Sequence, residues 1–129
     1  MLGPYRVVEK VGEGGMGSVY KARDTRLDRT VALKLLNGAD TASPAVRERL
    51  RHEARALSQL NHPNICTLYD LADFVPDGET MPISCLVMEY VDGEPLASRL
   101  ARGPLSLERA LLYGAQIADA LDKAHRAGV

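Results

Sequence analysis

No stretch of the sequence approaches the roughly 18 consecutive apolar residues that cross a bilayer. The start, Met1-Leu2-Gly3-Pro4-Tyr5-Arg6, lacks the basic segment followed by an apolar stretch of a secretory leader. The expectation is a cytosolic setting, with room for a membrane anchor beyond residue 129. Cysteine is scarce: Cys66 and Cys85 are the two, each inside an apolar strand-like run. That favours two free, buried thiols over a disulfide framework. His52, His62 and His125 fall at no metal-ligand spacing, so no metal is assigned to them. Neither sign of charge dominates, with 16 basic and 17 acidic residues and a net charge of -1. Such a balance gives no electrostatic reason to expect nucleic acid or an anionic membrane as partner, although local geometry can still hold a small anion. There is no internal repeat and no low-complexity segment.

What is present suits one soluble domain: 129 residues, 46% hydrophobic and 26% charged, are enough for one modest core. Residues 5–11 and 18–22 read as strands around the cluster Gly12, Gly14, Gly15 and Gly17, which predicts a hairpin. Thr30 to Leu36 reads as a third strand. Ser43-Pro44 marks a helix start with proline in the first turn, the helix running to about Leu60, where Asn61-His62-Pro63-Asn64 ends it. Two strands follow, near Ile65 to Phe74 and Ile83 to Tyr90, joined by the turn-rich Val75-Pro76-Asp77-Gly78-Glu79. Past Asp92-Gly93 the pattern becomes helical, first near Leu96 to Ala101 and then from Ser106 to about Ala127. In the second helix Ala110, Gly114, Ile117, Leu121 and Ala124 form an apolar stripe.

Gly12-Glu13-Gly14-Gly15-Met16-Gly17-Ser18-Val19 fits G-x-G-x-x-G-x-V, in which positions without side chains let backbone N–H groups approach phosphate oxygens. The same glycines satisfy the dinucleotide fingerprint, but that needs a helix to begin within them, and here the exit Val19-Tyr20-Lys21 alternates as a strand. A P-loop needs Gly-Lys-Ser/Thr, and Gly17 is followed directly by Ser18. A glycine-rich hairpin without ligand stays open on this motif alone. On the third strand the period of two sets Ala32 and Lys34 on one face, with Val31, Leu33 and Leu35 on the other. Val19 shares a face with Gly17 and Lys21. A lysine beside a small alanine can hold phosphates while the alanine admits a flat base, although a plain surface lysine fits the pattern too. In the following helix Val46, Leu50, Ala54 and Leu57 form the inward stripe, with Glu53 beside Leu50 and Leu57. An acid facing a core needs a partner, and Lys34 is the natural one. Arg47, Arg51 and Arg55, at i,i+4 spacing, read as a solvated face.

The segments VGEGGMGSVYKARD, VALKLL, RHEARALSQLNHPNI and LVMEYVDGEPL, in this order and spacing, resemble the N-terminal lobe of protein kinases, especially the bacterial eukaryotic-like serine/threonine family. The resemblance implies an α+β fold: a five-stranded antiparallel sheet with helix αC, then the first helices, αD and αE, of an incomplete C-lobe. It divides the chain into residues 1–91, the N-lobe with the hinge, and 92–129, the start of the C-lobe. It makes Gly12, Glu13, Gly14, Gly15, Met16, Gly17 and Ser18 the loop over the phosphates of ATP, Lys34 the lysine on the α- and β-phosphates, and Glu53 its αC partner. Val11, Val19 and Ala32 would roof the adenine, Met88 would be the gatekeeper, and the backbone of Glu89 and Val91 would bond the adenine edge. Leu57 and Leu68 would belong to the hydrophobic spine.

Two motifs of that family are missing. There is no H-R-D-x-x-x-x-N loop and no D-F-G, so the catalytic base and the magnesium ligands have no counterpart in this chain. His125-Arg126-Ala127 lacks the aspartate, and Asp73-Phe74-Val75 lacks the glycine and precedes the hinge. Every motif upstream is intact, which reads as a truncation before the catalytic loop. The resemblance therefore implies the ATP-binding portion of a serine/threonine kinase, inactive alone, with ATP, a protein substrate and Mg2+ as partners of the intact enzyme and self-association open to the isolated chain. The alternative is a non-catalytic nucleotide-sensing or dimerisation module.

Overall fold

The computed structural model describes residues 1–14, 17–36 and 43–129. Strands β1 (Tyr5–Gly14), β2 (Gly17–Asp24) and β3 (Arg29–Leu36) precede helix α1 (Pro44–Ser58). Strands β4 (Leu68–Phe74) and β5 (Ile83–Glu89) follow, then helices α2 (Leu96–Leu100) and α3 (Leu107–Arg126). The five strands make one antiparallel sheet in the order β1-β2-β3-β5-β4. Five strands and one described helix thus precede the change of character after Glu89, and two helices follow it.

The local chemistry accounts for the element ends. Pro44 opens α1 with the fixed φ that its first turn requires, although the Ser43 hydroxyl makes no capping bond. Ser106 does cap α3, its hydroxyl accepting from the Arg109 N–H at 3.2 Å. Between β2 and β3, Asp24 is 1% exposed and accepts from the N–H groups of Arg26 (3.0 Å) and Leu27 (3.3 Å), which closes the turn. Gly17 starts β2 with φ 143°, and a Cβ there would run into the Leu35 carbonyl oxygen. Any other residue would push β2 off β3.

The strand phase sorts the sheet into two faces. Tyr5, Ala22, Val31, Leu33, Cys85 and Val87 cluster on one of them, joined by Leu2 from the N-terminus and flanked by Val7, Leu35 and Phe74. Tyr5 meets Phe74 edge to face, ring centroids 5.7 Å apart. This is the core, and it lies on the side of β3 that carries Val31 and Leu33, away from Lys34.

Two expectations need correcting. Cys85 is buried, but Cys66 is exposed: β4 begins only at Leu68, so Cys66 lies in the segment before it and not within the sheet. The stripe of α1 is also rotated from its expected setting. Ala54 is the one buried residue of the helix, Leu50 is half-buried, and Val46 and Leu57 are 46% and 36% exposed. The face that meets the sheet is Arg47, Leu50, Arg51 and Ala54, with Arg51 paired to Asp73 of β4 at 3.2 Å. Arginine stems pack as apolar surface while their heads reach a carboxylate, so a stripe counted from apolar letters alone missed them. Arg47 and Arg51 are therefore not simply a solvated face.

Candidate functional site

The ladder brings several of the expected site residues into two adjacent rows. Gly12 pairs with Val19, Val19 with Lys34, and Lys34 with Leu86. In the next row Lys21 pairs with Ala32, Ala32 with Met88, and Met88 with Leu68. Directly opposed residues share a face, so Gly12, Val19, Lys34, Ala32 and Met88 lie together on the face opposite the core. Ala32 is buried, while Val19, Lys34 and Met88 are half-buried. Leu68 is buried at the far end of its row, whereas Leu57, expected beside it, is exposed.

The hairpin itself is irregular. The β1–β2 register shifts between Lys10 and Gly12, so Val11 is the unpaired residue of a bulge and is 44% exposed. Glu13 pairs with Lys10 at 3.1 Å and faces Ser18 across the hairpin, and Gly14 faces Gly17. Gly15 and Met16 lie outside the described residues.

Glu53 is turned away from this face. Its carboxylate takes Arg49 Nε at 3.2 Å on its own helix, and no ion pair joins it to Lys34. The rotation of α1 is the physical reason: at 100° per residue, Glu53 stands about 120° round the helix from the middle of the face that meets β4.

At the end of β5 the backbone of Glu89 is closely held. Its N–H donates to the Thr67 carbonyl at 2.8 Å, its carboxylate accepts from the Thr67 N–H at 3.1 Å, and its carbonyl accepts from the Cys66 thiol at 3.4 Å. A carbonyl oxygen has a second lone pair, so this one keeps an acceptor for another donor. The Val91 N–H bonds no other described residue, and Val91 is 64% exposed. Burial, followed by the Glu89 carboxylate, pushes the Cys66 thiol above its ordinary range. Sequence reasoning missed Cys66 and Thr67 as the holders of Glu89, because a cross-strand contact 22 residues away in sequence leaves no local pattern.

Residues 5–129 match the family model of the protein kinase domain. The chain belongs to the protein kinase family. This kinase chain is similar to serine/threonine-protein kinase PknA of Mycobacterium tuberculosis, 44% identical over 130 residues that cover all of this chain and 30% of PknA. It is similar as well to PknE of the same species, 41% identical over 128 residues and covering 22% of PknE. The crystal structure of the M. tuberculosis PknI kinase domain superposes with a TM-score of 0.83 at 30% identity, over the whole of this chain and 51% of that one. The kinase chain thus spans about half of a solved kinase domain and less than a third of these curated relatives. It covers the N-terminal part of the domain.

Proposed function

We propose that this chain is the nucleotide-positioning part of a protein serine/threonine kinase, holding ATP while a complete domain transfers the γ-phosphoryl group to a protein hydroxyl. The observation that carries the reading is the register aligning Gly12, Val19 and Lys34 in one row with Ala32 and Met88 in the next. On this reading the glycine hairpin lies over the phosphates and Lys34 meets the α- and β-phosphates. Val19 and Ala32 cover the adenine, and Met88 closes the back of the pocket. The remaining Glu89 acceptor and the Val91 N–H, which bonds no other described residue, suit the donor and acceptor on the adenine edge. Residues 1–91 are then the N-lobe and 92–129 the start of the C-lobe.

Phosphoryl transfer is catalysed mainly by positioning and by charge stabilisation. This chain contributes the first. Protein kinases use ATP with magnesium; among the described residues no group of three or more His, Cys, Asp and Glu could hold a metal ion. The uncovered apolar residues Leu107, Leu111, Leu112, Ile117 and Leu121 of α3 favour a second property, self-association of the isolated chain.

The test is Lys34→Met in a polypeptide extended through the rest of the kinase domain. Methionine keeps much of the apolar stem and removes the charge. Transfer to a generic protein substrate should fall by at least about 100-fold with the circular dichroism spectrum unchanged. Full activity in the variant would overturn the role of Lys34.

A further inference from the structure

One cavity of the molecule shares no residue with the face of Gly12, Val19 and Lys34. It measures about 530 Å3, opens to solvent and lies between α2, Arg102 just after it, and the first half of α3. Its charged lining consists of three arginines, Arg99, Arg102 and Arg109, and one glutamate, Glu94. Positive charge is in excess.

One of the three arginines is neutralised within the chain. Arg102 grips the Glu94 carboxylate with both Nη atoms, Nη2 to Oε1 at 2.7 Å, and this guanidinium holds the Glu94 carboxyl below its usual range. Glu94 is therefore charged at neutral pH and cancels Arg102. The other two have neutral partners: Arg99 Nη1 donates to the Gly103 carbonyl at 3.1 Å, and Arg109 Nη1 to the Tyr113 hydroxyl at 3.3 Å. Among the described residues each makes this one side-chain bond, and a guanidinium has five N–H donors. Two like charges lining one cavity repel each other. An oxyanion between them turns that repulsion into attraction, and guanidinium forks match its oxygens in pairs.

We propose that this cavity binds a phosphate monoester carried on a polypeptide, with Arg99 and Arg109 on the phosphate oxygens. Charge selects the phosphate: a monoester carries about -1.5 to -2 at neutral pH, which balances both arginines, whereas a single carboxylate balances one. Size and lining select the polypeptide. A water molecule takes about 30 Å3 in the liquid, so the cavity holds far more than a phosphate group, and Leu96 and Tyr113 offer apolar surface to the residues beside it. The site stands whether or not Lys34 meets a nucleotide.

The experiment is fluorescence anisotropy, with the whole chain titrated into a labelled phosphoserine peptide that has leucine on both sides, and into its unphosphorylated twin. The phosphopeptide should bind at least about tenfold more tightly than the twin, and Arg99→Gln and Arg109→Gln should each weaken it about tenfold. Arg6→Gln, which removes an equal charge from the exposed side of β1, should leave it unchanged. Arg109 is exposed, so its variant folds even where Arg99→Gln does not. No binding, equal binding of the two peptides, or equal losses in Arg6→Gln and Arg109→Gln overturns the site. Inorganic phosphate that displaces the peptide at an equal concentration overturns the polypeptide half and makes the free ion the occupant.

Discussion

Asp24 shows how much one buried side chain can hold. It closes the β2–β3 turn through two backbone N–H groups and lies 3.8 Å from Arg26 Nε and 3.9 Å from Arg29 Nε. Arg29 in turn rests on the Tyr69 ring at 3.8 Å. Asp24→Ala orphans both N–H groups and should lower stability by about 2 kcal/mol in urea unfolding, with Asp24→Asn closer to the parent. A loss within error for the alanine variant would show that water replaces the carboxylate. Cys85 makes a second prediction. Burial first, and the nearby Asp70 charge second, push its thiol from 9.0 up to about 12. The folded pKa is raised, so its contribution to stability is complete below about pH 9 and fades between there and about pH 12, at up to about 1.4 kcal/mol per pH unit. Unfolding free energy measured across that window should fall less steeply in Cys85→Ala. The phase of Ala32 and Lys34 was legible from a period of two, because strand geometry makes it so. The roles of Asp24 and Cys66 were not, since each depends on what the rest of the chain brings near it.

Helix α1 is the element whose sequence reading and observed setting differ most. Its limits were legible to within two residues, because Pro44 and the Asn61-His62-Pro63-Asn64 run are local signals. Its rotation was not, because the choice between an apolar stripe and an arginine-bearing stripe is made by β4 and Asp73. As it stands, α1 shows Val46, Glu53 and Leu57 on its outward side. In the complete, nucleotide-bound kinase we expect Glu53 to exchange Arg49 for Lys34, since phosphates beside Lys34 reward holding its ammonium still. A zero-length carbodiimide cross-link between Lys34 and Glu53 should form with ATP in the extended polypeptide and stay absent in this chain. No cross-link in either, together with full activity of Glu53→Gln, would remove Glu53 from the site.

On the scale of the whole molecule, the helices that follow β5 lack cover. No residue of α3 is buried, and Ile117 and Leu121 of its expected stripe are 49% and 50% exposed. At roughly 25 cal/mol per Å2, several hundred Å2 of such surface represents several kcal/mol, comparable with the stability of a small domain. Sedimentation of the isolated chain should therefore show dimers or larger species at micromolar concentration, with weak ATP binding. A stable monomer with micromolar ATP affinity would contradict both. No described helix is long and apolar enough to cross a membrane. The fold class was legible because alternation and glycine are local signals, whereas the strand order, with β5 inserted between β3 and β4, follows from long-range pairing. The core, sealed by Leu2 and Tyr5 on the far side of the sheet from Lys34, has a further consequence. Much of what keeps the sheet folded is separated by one backbone layer from what would select a ligand. Substitutions at the half-buried Val19, Lys34 and Met88 should accordingly cost the fold less than substitutions at Val31 or Leu33, so ligand preference can change there while the scaffold is kept.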